Sequence, residues 1–474
     1  MIAPTQSCEL LYKLQFDCKR NFFVLYCSQK ITQKGMVNLM ETVRNGWVLS
    51  CPSVDGGVLC PGYYNAGAGL AEDLQSVTPE DSHMQIVTGV TEADFDAYLR
   101  KLSAAGLTLV QQTCQTPNRF ADFMGGNTVF HISFFARTGE IRVVQDNVSL
   151  PVTAFSYETR GNQKTVFYQY GLYYDPLNRD DTGVTINCGM LYILRLSDNS
   201  LFMIDGGHMT QCSDEMMDGL WKFLHEITDT PMGGTIRIAA WYITHAHSDH
   251  LIGCAKLLNR HHDEIDLQRM MYNFPSYQVR PGGYDPDTDV MKRVVRQLYP
   301  HVPFLKPHTG QEITLSDLKI QVLYTHEDAV WTSDLSKFPH RDYNCTSTVL
   351  KLEIDGKSFL SLGDISQEAE AVIMMLSRRE VWKGDMVQVA HHCFNFLNGL
   401  YDWIDAPVAV LPHNEYGAHT PDNVLKLSGV LNHVKDGKIY YAGLGTDGFQ
   451  VEDGKFTHVY HADVIGGEYD HSGI

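Results

Sequence analysis

Seven consecutive residues, Thr244-His245-Ala246-His247-Ser248-Asp249-His250, limit what this chain can fold into more than any other feature. An apolar run at 236–244 precedes them and reads as a buried strand; helical apolar spacing follows over 249–259. Three imidazoles and a carboxylate within six residues are costly in an apolar interior, because each needs a polar partner. Imidazole nitrogen and carboxylate oxygen are the usual ligands of zinc and similar divalent ions. In a tight loop, His245 and His247 face one ion while Asp249 and His250 face a second. A polar surface loop that is His-rich by chance is the competing reading.

Two later segments supply what the cluster lacks. Ser361-Leu362-Gly363-Asp364 ends an apolar strand with an acid, a natural position for a carboxylate bridging two ions. Val387-Gln388-Val389-Ala390-His391-His392 ends another strand with paired histidines. Alone, an acid or a histidine at a strand end is more often solvated or structural. In this order, each at a strand end, the set becomes specific.

With 474 residues the chain has room for two or more domains. Residues 90–146 read as a compact α+β unit. Thr91 and Asp94 form a capping-box pattern, Phe95, Tyr98, Leu99 and Leu102 recur at helical spacing, and Gly106 supplies the stop. Strand-like runs follow at 107–112, 119–124, 128–136 and 140–144, so one helix on an antiparallel sheet is expected, with a structural or substrate-shaping role. After a junction over 145–163, strands alternate with helices, which suggests helices flanking sheets. The division expected is a leader or poorly ordered start at 1–35 (with Met36 as an alternative first residue), an α+β domain at 36–160, and a metal-binding domain at 161–474.

His245-Ala246-His247-Ser248-Asp249-His250 resembles the signature of the metallo-β-lactamase superfamily, and the resemblance extends over residues 165–455. Ile204-Asp205-Gly206-Gly207 resembles the first motif, Gly363-Asp364 the bridging-aspartate motif, and His391-His392 the final ligand motif. The resemblance implies an αββα sandwich, preceded here by the smaller α+β domain, with metals at one edge between the sheets. It implies His245, His247, Asp249, His250, Asp364 and His391 as ligands of two divalent ions, zinc or manganese. Asp205 and His392 are implied as supports, and Asp249 also as the catalytic residue that orients the attacking water. Within the superfamily, Asn344-Cys345-Thr346-Ser347-Thr348-Val349-Leu350, the paired histidines and Asn414-Glu415-Tyr416-Gly417-Ala418-His419-Thr420-Pro421 resemble the hydrolase-like domain of ComEC-type bacterial competence proteins. That implies Asn344 and His419 as substrate contacts.

One departure matters. Classical members place a further histidine between the His-rich loop and the bridging aspartate; the candidates His301, His308, His326 and His340 lack its context, and Asn344 stands in that stretch. The first ion is left with His245, His247 and Asp364, plus water or Asn344. This makes β-lactamase activity an unpromising expectation. The flavodiiron branch typically has glutamate where His247 stands, which argues against reduction of O₂ or NO. The reaction expected is hydrolysis of a phosphodiester in a small-molecule or nucleotide-like substrate. A carboxyl ester, lactone or thioester is the alternative, and a non-catalytic metal-binding member the rival from another class.

A formal net charge of −19 argues against a broad basic surface for long nucleic acid. No apolar run reaches the roughly 18–20 residues that span a bilayer. Eleven cysteines without a C-x-x-C motif fit a reducing cytoplasm. The loop 281–287 is a candidate to line the cleft. His208, His225, His433, His458, His461 and His471 have no partners identifiable in the sequence, and oligomeric state is not readable from it.

Overall fold

The computed structural model describes residues 13–16, 23–26, 51–59, 64–65, 82–146, 151–173, 189–208, 211–274, 287–330, 343–414, 421–434 and 438–464. Two compact units divide the chain, Met1–Val48 and Leu49–Ile474. In the first, strands Lys13–Phe16 and Phe23–Tyr26 pair antiparallel; the rest of the expected leader lies outside the described residues. Everything below belongs to the second unit.

Strand Leu201–Asp205 shows how sequence builds the sandwich. All five residues are buried, because both faces of the strand are covered. Leu201 and Met203 face one apolar cluster while Phe202 and Ile204 face another, as the two-residue period of a strand requires. The second of these clusters fills the space between two mixed sheets. One sheet runs in the order Phe304–Leu305, Met270–Met271, Ile236–Tyr242, Leu201–Asp205, Leu191–Arg195, Val166–Gln169, Thr446–Glu452, Lys455–Ala462. The other runs Glu312–Leu315, Leu318–Tyr324, Val349–Ile354, Lys357–Ser361, Met386–Gln388, Val408–Leu411, Ile439–Tyr441.

Helices Asp214–Ile227, Ser248–Arg260 and Asp287–Leu298 cover the outer face of the first sheet through Leu220, Leu224, Leu251, Leu258 and Met291. Helices Gln367–Leu376, Asn398–Ile404 and Pro421–Leu431 cover the second through Val372, Ile373, Leu400 and Leu427. The result is the αββα sandwich that the motifs imply. Leu201–Asp205 and Ile236–Tyr242 are parallel, as are Lys357–Ser361, Met386–Gln388 and Val408–Leu411. Their carboxyl ends therefore gather at one edge, where loops collect ligands.

The preceding sheet is antiparallel, in the order Val58–Leu59, Ser82–Thr88, Glu140–Asp146, Thr128–Phe135, Asn118–Gly125, Thr108–Gln115. Helix Glu92–Ala104 packs on it through Phe95, Tyr98, Leu99 and Leu102, and the Thr91–Asp94 capping box forms. The strand read at 107–112 extends to Gln115 because its polar residues bond to the sandwich. Gln111 exchanges two bonds with the Glu312 backbone (2.8 and 2.9 Å), Gln115 donates to Val322 O, and Asn118 in the next strand donates to Leu376 O. Deeper in this contact, Arg142 donates to the carbonyls of Glu327 and Asp328, and His308 lies between Asp146 and Glu327.

Candidate metal centre

Asp205 ends its strand with φ 60° and turns its carboxylate beneath the His-rich loop. Its Oδ1 accepts from Thr244 N (2.8 Å), and its Oδ2 accepts from Thr244 Oγ1 (2.9 Å) and lies 2.6 Å from His250 Nδ1. A proton on His250 Nδ1 leaves Nε2 to face the centre, the arrangement that fixes a ligating imidazole. Reaching this position requires the loop after Asp205 to touch helix Ser248–Arg260. A Cβ on Gly206 would stand 2.4 Å from Cys254 N, and one on Gly253 only 1.8 Å from Gly206 O. Both positions need glycine for close approach.

Two groups of donors share Asp364. In the first, one ligand atom each from Asp249, His250, Asp364 and His392 lies within 4.8 Å of the others. Asp364 Oδ2 is 3.1 Å from His250 Nε2 and 3.3 Å from His392 Nε2; Asp249 Oδ2 is 3.4 Å from His392 Nε2. His392 Nδ1 donates to Pro412 O at 2.8 Å, which sets its ring. In the second group, His245 Nε2 is 3.1 Å from His247 Nδ1. The same Asp364 Oδ2 lies 3.9 Å from His245 Nε2 and 3.9 Å from His391 Nε2. Asn344 joins these histidines, with Oδ1 3.1 Å from His245 Nε2 and Nδ2 3.2 Å from His391 Nε2.

The paired histidines reach both groups because the chain turns left-handed between them. His391, His392 and Cys393 have φ of 48°, 50° and 71°, a conformation costing non-glycine residues about 1–3 kcal/mol each. Gln388 ties the end of the preceding strand to Gly363, whose carbonyl accepts from His391 N at the start of this turn. Its Oε1 accepts from Leu362 N and Gly363 N (2.7 Å each), and its Nε2 donates to Gly363 O and Val389 O. Tyr401 OH accepts from Ala390 N, and Ser347 Oγ accepts from Asp364 N.

The electrostatics demand positive charge. Burial opposes ionisation of Asp364, but His250, His392 and His391 outweigh it and hold the carboxyl well below its ordinary range. Asp249 is likewise held low, by His250 and His392 against burial. Conversely, Asp364, Asp249 and Asp205 push His250 well above its ordinary value, and Asp364 and Asp249 push His392 up to about 10, both against burial. Burial and the neighbouring His250 and His247 hold His245 well below. Divalent ions meet the same demand as imidazolium protons. Asp364 Oδ1 is buried without a hydrogen-bond partner among the described residues. Imidazoles, carboxylates and this orphaned oxygen fit zinc-class ions.

The structure thus brings His245, His247, Asp249, His250, Asp364, His391, Asp205 and Asn344 together. His392, read from the sequence as a support, stands inside the four-residue group; His391, read as the ligand, stands in the other. His308 is occupied at the contact with the preceding sheet. His419, Tyr416, His340 and loop residues 281–286 lie outside the described residues. Two residues escaped the sequence reading. His413 is buried beside Phe394 and pushed down to about 3 by burial and His392. It follows the buried strand Val408–Leu411, the same strand-end signal that marked His391. Gln388 gave no signal, since a lone glutamine in a strand has no pattern.

No family model matches the chain, and no curated protein does. Among solved structures it is similar to CmlA, a diiron β-hydroxylase from Streptomyces venezuelae (13% identity, 60% of this chain and 45% of that one, TM-score 0.30). It is also similar to unliganded yeast PDE1 (11%, 59% and 98%, TM-score 0.35) and to rubredoxin oxygen:oxidoreductase from Desulfovibrio gigas (14%, 42% and 39%, TM-score 0.25). The chain spans about half the length of the two CmlA structures it matches, 55% and 45%.

Proposed function

We propose that this chain is a metal-dependent hydrolase of the metallo-β-lactamase superfamily, acting on a phosphodiester in a small or nucleotide-like substrate. The observation that carries the reading is Asp364 Oδ2, which lies 3.1 and 3.3 Å from His250 and His392 and 3.9 Å from both His245 and His391. In this reading Asp249, His250 and His392 would hold one ion and His245, His247 and His391 the other, with Asp364 within reach of both groups. His391 then fills the role of the histidine that the sequence lacks before Asp364.

Zinc or manganese bound there would supply water activation near neutral pH and charge stabilisation on the scissile phosphoryl oxygen. The remaining work falls to side chains. Asp249, in the first turn of its helix with 23% of its side chain exposed, orients the attacking water. Asp205 and Pro412 O fix the two imidazoles, so little reorganisation accompanies reaction. Asn344, whose amide lies against His245 and His391, would turn its N–H to a substrate oxygen in this reading; the ComEC-type resemblance of its segment supports a phosphodiester there.

Six described cysteines are free thiols, which supports a reducing cytoplasm as the working compartment. Among the described residues no helix is long and apolar enough to cross a membrane.

The test is turnover of an activated phosphodiester, an aryl ester and a lactone by metal-stripped protein reloaded with manganese or zinc, beside Asp249→Ala. Phosphodiester turnover that requires metal and disappears in the variant is expected. Faster turnover of the ester or lactone would overturn the substrate class; bound metal with no turnover of any would overturn the enzymatic reading.

A further inference from the structure

The C-terminal hairpin carries a second convergence of ligand-type side chains. Strands Thr446–Glu452 and Lys455–Ala462 pair antiparallel, with Asp447 directly opposite His461. His458 would ordinarily face the other side, three residues from His461 along a strand of period two. A register shift corrects this. Gly448 pairs with Tyr460 but Phe449 pairs with His458, so Val459 is the extra residue of a bulge. Asp447 and Phe449 share a face, and the bulge brings His458 onto it beside His461. Bulges commonly re-aim a side chain in this way.

The convergence is tight. Asp447 Oδ1 lies 2.7 Å from His458 Nε2 and 2.8 Å from His461 Nδ1, and one ligand atom from each residue falls within 4.8 Å of the others. The carboxylate is 6% exposed, whereas the imidazoles are 34% and 48% exposed, so the trio opens to solvent. Gly445 packs against the His461 ring, where a Cβ would stand 2.6 Å from Cε1. Tyr440, from the other sheet, lies 5.0 Å from the His458 ring. Backbone at Gly445 and the ring of Tyr440 therefore flank the two imidazoles.

We propose that Asp447, His458 and His461 form a third divalent-metal site, of zinc class, separate from the centre at Asp364. Two imidazole nitrogens and one carboxylate oxygen select zinc and its neighbours over magnesium or calcium, which prefer all-oxygen shells. With metal–ligand bonds of about 2.0–2.1 Å, tetrahedral donors stand about 3.3 Å apart, so small rotations of two half-exposed rings admit the ion. Solvent completes the shell. The ion closes the open end of the hairpin, since Asp447 and His461 stand one pair in from the end, far from the turn at Asp453-Gly454.

The experiment is equilibrium dialysis of the chelator-stripped full chain against zinc, with bound metal counted per chain. Wild type is compared with the double variant His458→Gln/His461→Gln and with His392→Ala. Glutamine keeps a donor for Asp447, and both sites are exposed, so the fold is retained; circular dichroism checks this. The double variant should bind one equivalent fewer than wild type, or bind that equivalent at least about tenfold more weakly. Its hydrolytic rate should be unchanged, and His392→Ala should keep the hairpin equivalent. Zinc should also raise the melting temperature of wild type more than that of the double variant. Equal stoichiometry and affinity in wild type and double variant would overturn the site.

Discussion

His391 and His392 are neighbours in the chain, yet their imidazoles enter different groups of donors, and only the backbone decides which goes where. With φ near 50° at both residues, successive side chains diverge around Asp364 instead of alternating as in a strand. The sequence showed the pair but not the turn, because left-handed geometry at non-glycine residues is imposed by surroundings such as Gln388 and Tyr401. The His-rich loop was legible because its donors lie close together along the chain. Asp205 was legible only through resemblance, since it sits forty residues upstream of His245. Two outcomes follow at this scale. His392→Ala should lose one of the two equivalents at the centre while keeping the fold, as read by metal analysis and circular dichroism. Asp205→Asn should keep both groups but bind metal roughly 10–100-fold more weakly, because the support of His250 and Thr244 is altered. An unchanged binding curve would show that Asp205 serves the fold alone.

At the scale of elements, the helix that follows the loop is placed by contact between glycines. Gly253→Ala should raise intrinsic helix propensity by about 1 kcal/mol. Its Cβ would also stand 1.8 Å from Gly206 O, so the helix has to move, at a cost of about 1–3 kcal/mol or more. The clash should win. Chemical denaturation should show a net loss of stability, and zinc affinity should fall with it, because Asp205 and His250 ride on the two elements pushed apart. A stabilised variant would show that the contact yields easily. The capping box and apolar spacing gave helix Glu92–Ala104 nearly complete, since its signals are local. Strand Thr108–Gln115 ran longer than its apolar pattern because Gln111 and Gln115 spend their amides on another sheet. Polarity that resembles solvent exposure in a sequence is here a long-range contact.

For the molecule as a whole, the preceding sheet and the sandwich meet through buried charge. His308 sits between Asp146 and Glu327, stacks on His131 at 4.9 Å, and has Lys306 beside the same carboxylates. Burial opposes its charge, but Glu327 and Asp146 push it from 6.5 to about 10. A raised imidazole gives stability that is full below its ordinary value and is lost as pH rises through about 10. Asp146 and Glu327 are held low, so their share is lost only on acidification. The melting temperature of wild type should therefore fall more between pH 7 and 10 than that of His308→Gln. At pH 7 the variant should be less stable by about 3 kcal/mol, the cost of stranding buried carboxylates. Parallel pH curves would exclude His308 as the cause. None of this was visible in the sequence, where His308 and Asp146 are 162 residues apart. The same contact has a lopsided inheritance. Gln111, Gln115, Asn118 and Arg142 donate to main-chain carbonyls of the sandwich, at Glu312, Val322, Leu376, Glu327 and Asp328. Every amino acid brings a carbonyl, so the accepting face tolerates evolutionary drift in its side chains, whereas each donor is lost by a single substitution.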